Sequence, residues 1–419
     1  MTRSLTVWWD KSTIGQLALT EYGEPTFAYL DRWLEGEEAR PISLSLPLRS
    51  EPFNRRECLP FFEGLLPEEG QRAAVARALG VSRTNEFRLL EELGGDIAGA
   101  LTLLPDDESP MDPQAGAMSS RPLEGAALSD LLDALPLRPM LAGDGRKVRL
   151  SLAGAQSKLP VVLVNGQIAL PASGQPTTHI LKPGIERYDG TTENEALCMT
   201  LAAAIGLDVA PVEMRVTGRH RYLLIERYDR TTENGQVTRV HQEDFCQALG
   251  YTSARKYAAD GGPVFRDCFD LLRAEATRPA LSVLALLDGA VFNTIIGNAD
   301  AHAKNFSLLH AASGLRLAPL YDLLSTVAYP AIDDRYAMKV GKARTLREVT
   351  SASWDRFASD AGVGGPYVRR TVRRIAEHCL ETLDDVADAL LASGGRMEMI
   401  GPYTQLLRDR AAQALGTVV

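Results

Sequence analysis

The stretch Asn298-Ala-Asp-Ala-His-Ala-Lys-Asn-Phe-Ser-Leu-Leu309 constrains this chain more than any other. It sets Asp300 and Asn305 five residues apart, the D-x-x-x-x-N spacing of a kinase catalytic loop. The chemistry accounts for the spacing. One carboxylate receives or orients the proton of an attacking hydroxyl, while an amide oxygen a short loop away holds Mg²⁺ on the phosphates. A second metal carboxylate should follow a short hairpin, and Asp322 does so in Leu317-Ala-Pro-Leu-Tyr-Asp322. Taken alone, an Asp and an Asn in a loop are equally ordinary turn residues. The loop also makes a demand on the fold, because catalytic groups need rigid support. The apolar run Leu281–Ile296 predicts a buried helix leading straight into it, and 306–309 with 315–318 predict a hairpin leading out.

Upstream, the pieces that a phosphoryl-transfer site requires occur in order. Ser151-Leu-Ala-Gly-Ala-Gln-Ser-Lys158 lies between two strand-like segments, 147–151 and 159–164. Its small residues Ala153, Gly154, Ala155, Gln156 and Ser157 let backbone N–H groups approach phosphate oxygens, and Lys158 adds a point charge. Lys182 ends the apolar strand 179–182, and a buried lysine is costly unless paired. Glu193 or Glu195, opening the next helix, is suited to be its partner and equally to be an ordinary first-turn carboxylate favoured by the helix dipole. Ile225-Glu-Arg-Tyr228 sits where a hinge would offer backbone groups to adenine. His302 and Lys304 lie inside the catalytic loop; Lys304 is suited to neutralise charge on the transferred group, and His302 equally to a structural hydrogen bond.

The flanking sequence predicts an α+β protein. Strands at 4–9 and 14–18, helices at 59–66, 68–79 and 84–93, and a returning strand at 97–104 make an N-terminal accessory domain over 1–104. Residues 105–127 read as a linker or exposed loop, and 128–234 as a nucleotide-covering lobe rich in strands. The mainly helical lobe, 235–419, includes long amphipathic helices at 367–391 and 400–415. The five cysteines are scattered without a C-x-x-C pair, which predicts reduced thiols in a cytoplasm. No run approaches 18 apolar residues, so a membrane span is not expected. A net charge of −9 gains no counterion release on a phosphate backbone, so autonomous nucleic-acid binding is disfavoured.

These residues carry a family resemblance. Ser151–Lys158, His179-Ile-Leu-Lys-Pro183, Asn194-Glu195, Glu226-Arg-Tyr-Asp229, Gly297–Ser307 and Pro319-Leu-Tyr-Asp322 resemble the HipA family, serine/threonine-kinase toxins of type II toxin–antitoxin modules. Leu65-Leu-Pro-Glu68 and Gly94-Gly-Asp-Ile-Ala-Gly99 are similar to the family's N-terminal domain. The resemblance implies a two-lobed protein-kinase-like fold that uses ATP and Mg²⁺. It makes Asp300 the catalytic base and Asn305 and Asp322 the metal ligands. Nucleotide would be held by Ala153–Lys158, Lys182, His302, Lys304 and Tyr321, with Glu226 and Tyr228 meeting adenine through their backbone. Ser151 matches the family's autophosphorylated serine. The implied partners are a HipB-like helix-turn-helix antitoxin dimer, operator DNA reached through that antitoxin, and a protein substrate. In the family's best-known member that substrate is glutamyl-tRNA synthetase, an aminoacyl-tRNA synthetase. The other readings are a small-molecule kinase on the same scaffold and a catalytically silent co-repressor.

Overall fold

A computed structural model of the chain describes residues 3–111, 120, 122–142 and 149–418. The fold is α+β, in two compact units. The first comprises residues 1–182, 217–220 and 227–253; the second, residues 183–216, 221–226 and 254–419.

The first unit begins with an antiparallel sheet whose strands run in the order Pro25–Tyr29, Ser12–Leu19, Ser4–Trp9, Leu101–Pro105. Ser4–Trp9 alternates in burial, turning Leu5, Val7 and Trp9 inward. Against that face pack helices Arg55–Gly64, Glu69–Leu79 and Glu86–Leu93, with Phe61, Phe62 and Leu90 in one core. Asn54 caps the first helix with a capping box completed by Glu57. The returning strand starts at Leu101, not at 97, because the preceding backbone has other partners. Gly99 N–H donates to Asp229 Oδ2 at 2.7 Å and Ala100 N–H to His241 Nδ1 at 3.4 Å.

Further along this unit, Leu159–Val164 pairs with Gln167–Ala169 on one side and His179–Pro183 on the other. The hairpin turns at Asn165-Gly166, both at positive φ as a two-residue turn of this hand requires. The same signal at Asn234-Gly235 joins Arg230–Glu233 to Gln236–Arg239, a hairpin not anticipated above. Of the strand expected over 147–151, residues 147 and 148 lie outside the described residues. Leu150 makes a single parallel bridge to Asp96.

The second unit is mostly helical: Thr191–Ala204, Phe265–Glu275, Pro279–Ile296, Ser351–Ala361, Gly365–Ala392 and Met397–Gly416. Pro279–Ile296 is 18 residues long with a mean hydropathy of 1.7, enough by length and composition to cross a membrane. It is 67% buried, with Leu286, Ala290, Phe292 and Ile296 fully inside, which makes it a core helix here. All five cysteines are buried, and burial pushes the Cys58 and Cys379 thiols up to about 12.

Candidate active site

The catalytic loop is built from the end of Pro279–Ile296. Gly297 stops that helix at φ 78, in the left-handed region. A Cβ there would stand 2.5 Å from Val327 Cγ2 and 2.7 Å from Arg410 Nε, so the position admits only glycine. Arg410 donates to the carbonyls of Ile295 at 2.9 Å and Thr294 at 2.5 Å, satisfying the helix's last acceptors. Beyond the cap, Asn298 N–H bonds Asn293 O at 2.8 Å, while its side-chain amide bonds Asn293 Oδ1 at 2.8 Å. The Asn298 Oδ1 then accepts from Asp300 N–H at 3.1 Å. Asp300 is thus fixed through its backbone while its side chain is exposed, the arrangement that a group meeting an incoming hydroxyl needs.

Asp300 and Asn305 are brought together directly. Asn305 Nδ2 donates to the Asp300 main-chain carbonyl at 3.1 Å, and Asn305 N–H to His302 O at 2.9 Å. With its NH₂ group turned to the loop backbone, the Asn305 amide presents Oδ1 as its acceptor atom. His302 and Lys304 are buried, and the His302 ring meets Tyr257 edge-on at 5.3 Å between centroids. The Tyr321 hydroxyl lies 2.7 Å from both Lys304 O and Ser307 Oγ, so this residue braces the loop.

Asp322 is placed by a separate set of bonds. Leu320 N–H donates to Asp208 O at 2.8 Å and Leu320 O accepts from Ala210 N–H at 2.9 Å, a parallel bridge centred on Val209. Three residues past Asp322, Ser325 is gripped by Asn194: Ser325 N–H to Asn194 Oδ1 at 2.8 Å, and Asn194 Nδ2 to Ser325 O at 2.9 Å. Held on both sides, Asp322 adopts φ 57, a strained conformation for a residue with a Cβ. Such strain persists only where its surroundings over-determine it. Two oxygen donors, an amide and a carboxylate, fit the way Mg²⁺ is held, with its remaining positions left to phosphates and water. Among the described residues no three His, Cys, Asp or Glu side chains converge as a metal cage.

The residues expected to meet phosphates, 151–158 and Lys182, lie in the first unit. Ser151 is fully buried and its hydroxyl donates to Leu65 O at 2.7 Å. Gly154 sits at φ 115, and Lys158 Nζ lies 2.5 Å from where a Cβ on Gly154 would stand, so the loop closes over its own glycine. Lys182 is buried at the end of its strand. Of its two expected partners, Glu193 is held by Arg396 at 2.7 Å, with Arg221 at 3.7 Å; Glu195 is buried on the same helix. At the expected hinge, Glu226 N–H donates to Pro211 O at 2.9 Å. The Tyr228 hydroxyl hydrogen-bonds Gln242.

Residues 5–104 match the model described as HipA N-terminal domain, and residues 150–387 that described as HipA-like C-terminal domain. The chain belongs to the HipA family. It is 30% identical to "Serine/threonine-protein kinase toxin HipA" of Shewanella oneidensis, over 89% of this chain and 87% of that protein. A Sinorhizobium fredii protein named "Putative kinase Y4mE" is 55% identical over 93% of this chain and 94% of its own length. Among solved structures, HipA of Shewanella oneidensis in complex with HipB and operator DNA superimposes with a TM-score of 0.85. That match has 28% identity and covers 99% of this chain and 98% of that one.

The first unit also holds a buried charged cluster that the sequence pattern did not reveal. Asp96, in the Gly94-Gly-Asp turn, is buried and gathers three guanidiniums. Arg230 and Arg239 reach its Oδ1 at 3.0 and 3.1 Å, and Arg227 reaches Oδ2 at 3.2 Å. Thr177 donates to Oδ2 through both N–H, at 3.2 Å, and hydroxyl, at 2.6 Å. Asp229 pairs with Arg227 at 2.8 Å and Arg230 at 3.0 Å. Burial alone would raise the Asp96 carboxyl, but Arg230, Arg227 and Arg239 outweigh it and hold the group far below the usual carboxylate range. The visible signal was the density of charge in Glu226-Arg-Tyr-Asp-Arg230.

Proposed function

We propose that this chain is an ATP-dependent serine/threonine protein kinase of the toxin type, and that Asp300 is its base. The observation that carries the reading is the Asp300–Asn305 loop. Its carboxylate is exposed, its backbone is fixed by Asn298, and its neighbouring amide is turned to offer oxygen. Asp300 takes or orients the proton of the attacking serine or threonine hydroxyl. Asn305 and Asp322 would hold Mg²⁺, which when bound neutralises charge on the β- and γ-phosphates. The backbone N–H groups of 153–158, with Lys158 and Lys182, bind phosphate oxygens, and the Glu226 carbonyl with the Tyr228 backbone receives adenine.

Ser151 is the proposed site of autophosphorylation. Its bond to Leu65 O and its burial mean that the segment must leave its place for the hydroxyl to react. A phosphate of charge near −2 beside a loop made for phosphates then opposes nucleotide binding. The acidic chain would reach operator DNA through a HipB-like helix-turn-helix antitoxin, as in the complex of its Shewanella relative. A cytoplasmic location and a protein substrate of the aminoacyl-tRNA synthetase class accompany this reading. The test is Asp300→Gln. Loss of a positioned base is worth about 10²–10⁴-fold, so phosphate incorporation into the purified protein, read by mass spectrometry, should fall by at least a hundredfold. Undiminished autophosphorylation in that variant would refute the assignment.

A further inference from the structure

The loop over residues 151–158 does not hold its shape alone. Its backbone and side chains are tied at successive points to residues 65–96, which belong to the same compact unit. Before the loop, Asp96 N–H donates to Arg149 O at 2.8 Å and Asp96 O accepts from Ser151 N–H at 3.1 Å. At its middle, Pro67 forms a parallel bridge with Gly154, and Glu68 N–H donates to Gly154 O at 3.1 Å. Toward its end, Gln71 Nε2 donates to Ser157 Oγ at 3.0 Å.

The middle tie has a directional consequence. Across a trans peptide the carbonyl and the following N–H point in opposite directions. Holding the Gly154 carbonyl on Glu68 therefore turns the Ala155 N–H away from Glu68. The Lys158 ammonium lies over Gly154. Convergent N–H groups beside a lysine make an anion cradle. Gln71 gives a second, independent indication. Its Oε1 is buried and, among the described residues, has no hydrogen-bond partner. A side chain that leaves a polar atom unpaired is poorly explained by stability. Its other end explains it: Nε2 is the donor that fastens Ser157.

We propose that Glu68, through its backbone, and Gln71, through its side chain, are positioning residues for phosphoryl transfer, latching the loop in the shape that receives nucleotide phosphates. The latch rests on the kinase reading for its consequence, not for its existence. Neither residue touches the reacting atoms; both act through the loop. The N-terminal segment is on this account a working part of the nucleotide site.

The test compares the full-length protein with Gln71→Ala, Ser157→Ala and the double variant. One neutral hydrogen bond is worth roughly fivefold in an equilibrium. Without nucleotide, amide exchange over 151–158 should quicken about fivefold in Gln71→Ala while the thermal midpoint stays in place. With nucleotide, KM for ATP should rise about fivefold and kcat hold, and the double variant should be no worse than either single one. A merely structural glutamine would lower the midpoint and leave the KM-to-kcat split unmoved. Unchanged loop exchange in Gln71→Ala overturns the latch. Faster exchange in a protein whose wild type binds no ATP overturns both the positioning role and the kinase reading. Faster exchange with unaltered KM overturns the positioning role alone.

Discussion

Replacing Asp96 by Asn removes one negative charge from a site that water does not reach, and the arrangement there allows the cost to be worked out. The two Asp96 oxygens accept from Arg227, Arg230, Arg239 and twice from Thr177. Asparagine keeps one acceptor, turns an NH₂ group toward donors, and removes the carboxylate that Arg239 meets, leaving Arg227 and Arg230 paired with Asp229. Breaking a buried ion pair by removing one partner costs about 3–5 kcal/mol. A domain's whole stability is about 5–15 kcal/mol, so the first unit should lose a large part of what holds it. Trp8, Trp9 and Trp33 lie in that unit and Trp354 in the other, so tryptophan fluorescence in urea reports mainly on the first. The loss should lower its midpoint by about 1–2 M. The pH dependence follows from the sign of the shift. Asp96 titrates lower folded than unfolded, so its stabilisation is complete above the unfolded value, about 3.9, and fades as pH falls below it. The gap between wild type and Asp96→Asn should therefore be constant from pH 5 to 8 and narrow in stronger acid. A variant within about 1 kcal/mol of wild type at pH 7 would refute the claim that this carboxylate neutralises the cluster.

Two further outcomes concern the candidate site. Asp322→Asn should weaken Mg-ATP binding at least tenfold, about 1.4 kcal/mol, by calorimetry; equal affinity would remove Asp322 from the metal role. Gly154→Ala places a Cβ 2.5 Å from Lys158 Nζ at φ 115, a backbone strain of about 1–3 kcal/mol that the loop relieves by leaving its docked shape. KM for ATP should rise about tenfold with little change in melting temperature, and an unaltered KM would show that the cradle does not depend on that conformation.

The local parts of this molecule were legible because local patterns cause them. Leu159–Val164 and the Asn165-Gly166 turn follow from β-branched residues and from two positions needing positive φ. The helix Pro279–Ile296 follows from a mainly apolar stretch closed by glycine. The Asp300–Asn305 contact was implied by spacing alone. What escaped reading depends on partners far apart in sequence. Arg227 was legible only as part of a hinge segment and Asp229 only as part of a motif, and their burial needs Asp96, 131 residues before Arg227. Asn194 was noted only as part of a motif, and its grip on Ser325 spans 131 residues. Gln71 carried no pattern at all, because a single polar side chain on a helix face does not reveal which backbone it will meet.

The cap on Pro279–Ile296 bears on the order in which a chain leaving the ribosome becomes competent. Arg410 is 115 residues beyond Ile295, whose carbonyl it holds. The partners described above for residues 151–158, from Leu65 to Asp96, have by contrast been made before that loop appears. Since chains fold from the N-terminal side during synthesis, the phosphate loop can settle as it emerges. The support under Asp300 stays incomplete until the segment carrying Arg410 arrives. Half-made chains would then present a formed 151–158 loop before the loop carrying Asp300 is held still.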